Sequence, residues 1–477
     1  MYLEATAAEP SATPGDPVKL RLECIYRAPL PAGALTLKNL SILPALADTA
    51  PTFDLKINKA WVLEKTVRLP ENLPFTAPYW LDGASTEGMY AVEDQRLRGI
   101  PETERSFKVR WSFSLNGTPL EYMTDVAYKI EEPAIGEVWR PFDVLPPVFV
   151  EFEQPSYLFL EQDQTVQVRV KAGRDNVAGL VTVRTPGSGW VTRGGKQAFE
   201  FKKKGEEKTF VFTVEGKYLP SEATLTAVAE MGDKTYSNRL VSIKYDHIPQ
   251  QSVLLPATTQ AARLDLQVSA KNIGYYMGAG DDIPNALRQM GCAVTLLNDN
   301  DLTPDNLKKF DAVVLGIRAY NTKEGLRLQQ ANLFEYVKNG GTLVTQYNNS
   351  FDLVVPELAP YPLKLGRARV TDQHAEMRLL QPEHPLLNAP NKITAADFKG
   401  WVQERGLYFP SEWGPQFTPL FSSNDPGEKA ADGSLLVAQY GQGQLVYTGL
   451  SFFRQLPSGV PGAYRLFANL VSSKTRP

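Results

Sequence analysis

Two β-sandwich domains followed by an α/β domain is the architecture this sequence predicts. Three observations carry it: two-residue alternation of apolar side chains through the first 250 residues, a proline-broken boundary near 141–152, and a change to strand–helix alternation after residue 262. At 477 residues the chain exceeds what one hydrophobic core organises, and about two to four domains are expected.

The first domain is expected over residues 1–145. Its signature is PGDPVKLRLECIY at 14–26, where Val18, Leu20, Leu22 and Cys24 fall on one face of a strand. Phe107, Val109, Trp111, Phe113 and Leu115 repeat the pattern. Between them LPENLPFTAPYWLDG at 69–83 is too rich in proline for a central strand and reads as a long connection. Pro146 and Pro147 interrupt the chain before the second domain, 146–250. There short strands at 165–172, 180–186, 198–204, 208–214, 223–231 and 238–249, with turns about every ten residues, describe a sandwich of immunoglobulin-like size. The segment 250–262, QSVLLPATTQAA from 251 onward, reads as a linker open to proteolysis.

From 262 to 474 the period changes. Strands at 272–278, 293–297, 311–317 and 342–347 alternate with helical patterns at 281–290, around 301–310 (with a turn) and at 323–338. A late hairpin, 435–440 and 444–449, turns at 441–443, and a helix at 458–473 closes the domain. Such alternation implies right-handed crossovers around a mainly parallel sheet.

Composition narrows the function classes. The net charge of −3 supplies no basic field for nucleic acid, and 22% charged residues is ordinary for a folding chain. No stretch reaches the roughly 20 apolar residues a membrane span needs. The opening MYLEATAAEP lacks the basic and apolar regions of a signal peptide. Cys24 and Cys292 read as small buried apolar groups, dispensable for any activity, and three histidines in separate segments argue against a metal site. No cofactor is expected.

Ligands in open α/β sheets bind beyond the carboxyl ends of the strands. That rule selects 277–282, 316–322, 345–350 and 448–455. The GAGDD at 278–282 lacks the glycine spacing and lysine of a phosphate loop, and Asp281 and Asp282 would repel phosphate. The third strand's tip offers Arg318, Tyr320 and Asn321 and the fourth's Gln346, Tyr347, Asn348 and Asn349, groups that suit a sugar-like ligand or tie loops together. Of the strand-tip groups, Arg318, Gln346, Asn348 and Arg454 are expected to point into one space. Above them, the insertion 350–434 interleaves Trp401, Tyr408, Phe409 and Trp413 with Asp397, Glu404, Arg405 and Glu412. Aromatic faces with charged hydrogen-bonding groups suit glycan stacking and hydroxyl readout; the same composition also makes an aromatic-packed subdomain. Glu404 and Glu412 are an acid/base pair only if folding brings them within about 5–9 Å.

The segments YYMGAGDDIPNALRQMG, FDAVVLGIRAYNT, NGGTLVTQYN, PYPLKLGRARVTD, HPLLNAPNKITAADFKGWVQERGLYFPSEW and GLSFFRQLPSGVPGAYRLFANL resemble the C-terminal half of long bacterial proteins of the LmbE/PIG-L deacetylase family. The resemblance is strong over 262–474 and looser before it. It implies β-sandwich modules, with 146–247 similar to the sandwich associated with sugar-binding modules of α-galactosidases. They would precede a flavodoxin-like, class I glutamine-amidotransferase-like three-layer domain related to the ThuA group. The family's zinc-dependent N-acetylglucosaminyl deacetylase domain carries a histidine–proline–aspartate–aspartate motif; His384-Pro385 is followed here by Leu386-Leu387. Where amidotransferases place their cysteine, this chain has Gln346-Tyr347.

The expectation is therefore a non-catalytic accessory region that binds or positions a glycan-like substrate for an upstream deacetylase domain. The alternatives are a carbohydrate-derivative hydrolase with a carboxylate site in the α/β domain, or a structural module. The resemblance implies a periplasmic or extracellular location, and a carbohydrate or glycoconjugate as partner.

Overall fold

The computed structural model describes residues 1–29, 34–44, 46–81, 83, 85–187 and 189–472. Residues 473 and 474, the expected end of the last domain, lie outside them. In the N-terminal part, one sheet orders Gly136–Pro141, Ala127–Glu132, Tyr2–Ala7, Pro17–Ile25 and Trp61–Arg68. Another orders Ala47–Thr49, Leu35–Leu43, Lys108–Leu115 and Thr118–Asp125. Their inward faces meet in one core, where Val18, Leu20, Leu22 and Cys24 pack with Val109, Trp111 and Phe113. The alternation read from sequence is the alternation of burial along Pro17–Ile25.

The second sandwich sets Val148–Phe152, Asp163–Ala172, Glu207–Glu215 and Val191–Arg193 against Ser156–Phe159, Thr258–Arg263, Ser221–Met231, Val177–Arg184 and Gln197–Phe201. Here the expected boundary needs correction. The segment 250–262 is no linker: Ile248–Pro256 and Thr258–Arg263 are both strands. Thr258–Arg263 lies between Ser156–Phe159 and Ser221–Met231, and its Ala261 is part of the core. Asn238–Tyr245, read as the sandwich's last strand, pairs instead with Ile248–Pro256 in a ribbon of its own. The irregular connection runs from 264 to 271.

The α/β unit is built on a sheet whose elements are numbered from here: β1 (Asn272–Tyr276), α1 (Ile283–Gln289), β2 (Ala293–Leu297), β3 (Ala312–Leu315), α2 (Leu326–Lys338), β4 (Thr342–Thr345), β5 (Leu363–Val370), β6 (Gly406–Trp413), β7 (Phe417–Pro419), β8 (Leu435–Tyr440), β9 (Gly443–Thr448) and α3 (Pro461–Ser472). The order is β2-β1-β3-β4-β9-β8-β7, parallel from β2 through β9 and antiparallel beyond. Beginning 2-1-3-4, it is the order of a doubly wound sheet whose direction of winding reverses between β1 and β3.

Both faces of this sheet are covered, which is why β3, β4 and β9 are buried at every residue instead of alternating. Ile273, Tyr275, Val314, Val344 and Val446 face α1 and α3. Tyr276, Val313, Leu315, Leu343 and Leu445 face α2. The second sandwich docks on the α1–α3 side: the Gln289 amide donates to Ser156 O at 3.1 Å and accepts from Leu158 N at 2.8 Å. β5 and β6 form a separate ribbon within the insertion. Among the described residues no helix is long and apolar enough to cross a membrane.

Candidate functional site

The tip of β1 is spent on structure. Asp281 accepts from Tyr275 Oη at 2.6 Å and Ile283 N at 3.1 Å with one oxygen, and from Ile317 N at 3.2 Å with the other. Burial raises the pKa of this carboxyl, against those hydrogen bonds. A Cβ on Gly278 would lie 2.0 Å from Ile317 O, so the β1 and β3 loops touch backbone to backbone. The crevice expected at the reversal of winding is thereby filled, and a group of aromatic and charged side chains gathers instead at the tips of β3, β4 and β9.

Of the expected strand-tip residues, two tie loops together. Asn348 accepts from Tyr320 N at 2.9 Å and donates to Gln346 O at 2.9 Å. Gln346 donates to Tyr275 Oη at 3.0 Å, and its Oε1 is buried without a partner. With both side chains almost fully buried, neither presents an open face.

Between them Tyr347 points elsewhere. Its ring lies parallel to Tyr408 within 10°, centroids 6.4 Å apart, and packs on Phe453 at 5.3 Å. Phe351 meets the edge of Tyr408 at 6.1 Å. Arg454 covers the Phe453 ring at 4.9 Å and donates to Glu404 at 2.6 Å. Arg318 begins the loop after β3, its N–H donating to Tyr347 O at 2.8 Å. Tyr347 is half-buried, and burial raises its phenol pKa; Arg318 and Arg454 oppose that rise, while Glu404 and Tyr408 add to it. Four charged or polar groups therefore converge on one phenol.

Tyr408 reaches this place because the start of β6 docks on the end of β9. Leu407 N donates to Gly449 O at 2.9 Å, and a Cβ on Gly406 would come within 2.3 Å of that same carbonyl. The backbone bordering the cleft is strained: Arg318, Asp352, Gln403 and Tyr408 have φ of 56°, 54°, 67° and 47°. Left-handed non-glycine residues of this kind cost free energy and gather at functional sites. A loop of the N-terminal domain reaches the margin, where Glu87 accepts from Gln373 and meets His374 Nε2 at 3.0 Å, and Gln373 in turn accepts from Gln403 N.

The insertion contributes differently from the expectation. Trp401, expected as a stacking platform, is 2% exposed. Its ring packs on Phe398 and Phe452, and its N–H donates to Asp397 O at 3.0 Å, so neither face is open to a sugar. Arg405 lies under the same core, donating to Ala375 O at 3.0 Å and to Phe398 O, and burial pulls its pKa down to about 10. Asp397 accepts from Thr394 N at 2.7 Å and from Arg465 at 2.9 Å. These three hold the insertion together. Trp413 ends β6 beside Leu363, half-buried against the α2-side core, at the opposite end of the strand from the cleft. Glu404 and Glu412 do not converge either. They flank the length of β6, roughly 25 Å at about 3.3 Å per residue, and Glu412 is neutralised by Lys364 at 2.7 Å.

The cluster is therefore formed by Arg318, Glu404, Arg454, Tyr347 and Tyr408, all offered by the sequence, with Phe351 and Phe453, which it did not single out. For Phe453 the available signal was positional, since it adjoins an arginine just past β9. Both thiols are buried, and burial pushes each up to about 11. Among the described residues, no group of three His, Cys, Asp or Glu side chains is placed to hold a metal ion.

No protein-family model matches the chain, and no curated protein matches it. Solved structures similar to it include a putative GMP synthase component from Thermoplasma acidophilum, 11% identical, covering 42% of this chain and 92% of its own, TM-score 0.29. A putative ThuA-like protein from Bacteroides uniformis is 12% identical, covering 43% of this chain and 93% of its own, TM-score 0.30. The cold-adapted β-galactosidase from Rahnella sp. R3 is 15% identical, covering 43% of this chain and 31% of its own, TM-score 0.27. Likeness at this level carries no argument about function.

Proposed function

We propose that the chain is a non-catalytic region that binds or positions a glycan-like ligand in the cleft above β3, β4 and β9. The observation that carries this reading is the parallel Tyr347–Tyr408 pair, half-buried and bordered by Arg318, Arg454 and Glu404. Aromatic faces bury the apolar face of a pyranose, and fixed charged groups at the rim read its hydroxyls. The resemblance to the region downstream of LmbE/PIG-L deacetylase domains supports N-acetylglucosaminyl glycans as the ligand class. It also supports reading the α/β unit as amidotransferase-like, with Tyr347 close to where that fold's nucleophile stands.

The hydrolase alternative has less support. Glu404 is held by Arg454 and has no carboxylate partner in Glu412. An NMR titration with N-acetylglucosamine oligosaccharides tests the binding reading. Tyr408→Asn removes one ring while tolerating the left-handed backbone, and should weaken binding by roughly tenfold, or about 1–2 kcal/mol. Unchanged affinity in that variant, or no perturbation of the parent protein by any oligosaccharide, would reject the cleft as a glycan site.

A further inference from the structure

We propose that the cleft selects an anionic sugar, one bearing a carboxylate or a phosphate, and that Arg318 is the residue that grips the oxyanion. The inference rests on reading the cleft as a ligand site and adds to it the chemistry of the ligand.

Other buried or half-buried arginines around the insertion have their guanidinium groups engaged: Arg405 by Ala375 O and Phe398 O, Arg454 by Glu404, Arg465 by Asp397 and Lys392 O, Arg378 by Asn424, whereas Arg367 and Arg369 are exposed. Arg318 differs. Among the described residues its guanidinium makes no hydrogen bond or ion pair, and its Nε is buried without a partner. Arg174 and Arg263 also have an orphaned Nε, but each engages Nη1, Arg174 with Asp16 and Arg263 with Phe159 O, Leu160 O and Leu264 O. The two Nη groups of Arg318 are neither bonded among the described residues nor closed off from solvent, and an oxyanion reaching them gains charge-assisted hydrogen bonds.

The backbone says the same. Arg318 sits at φ 56° and ψ 25°, a region where glycine would be strain-free. It is locked there by its N–H to Tyr347 O at 2.8 Å and by its carbonyl, which accepts from Asn321 N at 2.9 Å and Thr322 Oγ1 at 3.0 Å. Strain maintained by three hydrogen bonds aims a side chain that nothing in the protein uses.

Charge balance points the same way. Around the aromatic pair two arginines face one carboxylate, Glu404, which already bonds Arg454. Asp281 is occupied by Tyr275, Ile283 and Ile317, and Asp352 is exposed at the rim. The cleft thus carries one positive charge in excess over its half-buried lining, next to rings that take a sugar face. A guanidinium fork suits the paired oxygens of a carboxylate or a phosphate equally.

The test titrates the full chain at low salt with glucuronic acid, glucose 6-phosphate and glucose, following amide shifts. At least one anionic sugar should bind about tenfold or more tightly than glucose, as a charge-assisted hydrogen bond predicts, and the stronger of the two identifies the anion. Arg318→Asn keeps a residue that accepts the left-handed backbone. It should erase the anionic preference, weakening the anionic sugars far more than glucose, and Arg318→Lys should restore part of it. An unaltered melting temperature in Arg318→Asn assigns the loss to binding. Equal affinity for glucose and both anions, unaffected by Arg318→Asn, overturns the anion inference and leaves a neutral-sugar site. Silence of the parent protein toward all three sugars overturns the inference and the binding reading together.

Discussion

Arg405 and Arg318 lie on two sides of one insertion, each among aromatic rings and carboxylates, and they do opposite things. Arg405 lies 5.7 Å from the Trp401 ring and 5.9 Å from that of Phe398, its guanidinium bonded to two carbonyls, in a cluster from which solvent is excluded. Arg318 borders the Tyr347–Tyr408 pair with its guanidinium unbonded and its backbone strained. The composition of the two clusters is alike. What separates a structural cluster from a candidate site is whether the polar atoms have already been satisfied by the protein.

Three substitutions sharpen that contrast, in order of expected effect. Trp401→Ala removes a ring from the middle of a packed core and should cost about 3–5 kcal/mol in urea denaturation. A stable Trp401→Ala protein with impaired glycan binding would instead return Trp401 to the site. Arg405→Ala strands the carbonyls of Ala375 and Phe398 inside the protein, and a loss of about 2–3 kcal/mol is expected, with any sugar affinity retained. Arg318→Asn, by contrast, should stay within about 0.5 kcal/mol of the parent, because it breaks no bond within the protein.

Asp281 offers a smaller effect with a definite sign. Its pKa is raised by burial, so the folded state keeps the proton to higher pH than the unfolded chain. Its contribution to stability should fall as pH rises above the ordinary value of 3.8 and through the raised folded-state value, and return on acidification. Subtracting the stability curve of Asp281→Asn isolates this slope, and a difference that grows with rising pH contradicts the assignment. At neutral pH the variant should also lose about 1–2 kcal/mol, since an amide cannot accept at both Ile283 and Ile317 as the carboxylate does.

The domain boundary shows why some structure was hidden in the sequence. Strands with one wet face and large inward residues, such as Val18, Leu20 and Leu22, announce themselves by alternation. Thr258–Arg263 is as much a part of its sheet, but its inward residues are Thr259 and Ala261, too small to mark a period. Ile248–Pro256 pairs with one neighbour in a ribbon and carries no clean alternation at all. Both read as linker because the hydrophobic signal scales with side-chain size, whereas ladder pairing depends only on the backbone.

For the α/β unit, the sequence by itself determined the parallel sheet and the end of it at which the strand-tip loops gather. Strand–helix alternation fixes a parallel sheet, and a parallel sheet exposes its loops at the carboxyl ends. It also determined that Cys24 and Cys292 are inward-facing, since each continues the apolar face of a strand or its immediate approach. Only the tertiary structure decided which of two chemically similar clusters stays open. Trp401 and Arg405 were closed by contacts with Phe452, Ala375 and Phe398. Tyr408 was carried to Tyr347 by the docking of Gly406 on Gly449, 43 positions further along the chain. Local sequence encodes which face of an element is apolar; it does not encode which distant element arrives to cover it, and that arrival determines whether an arginine is a brace or a hand left open.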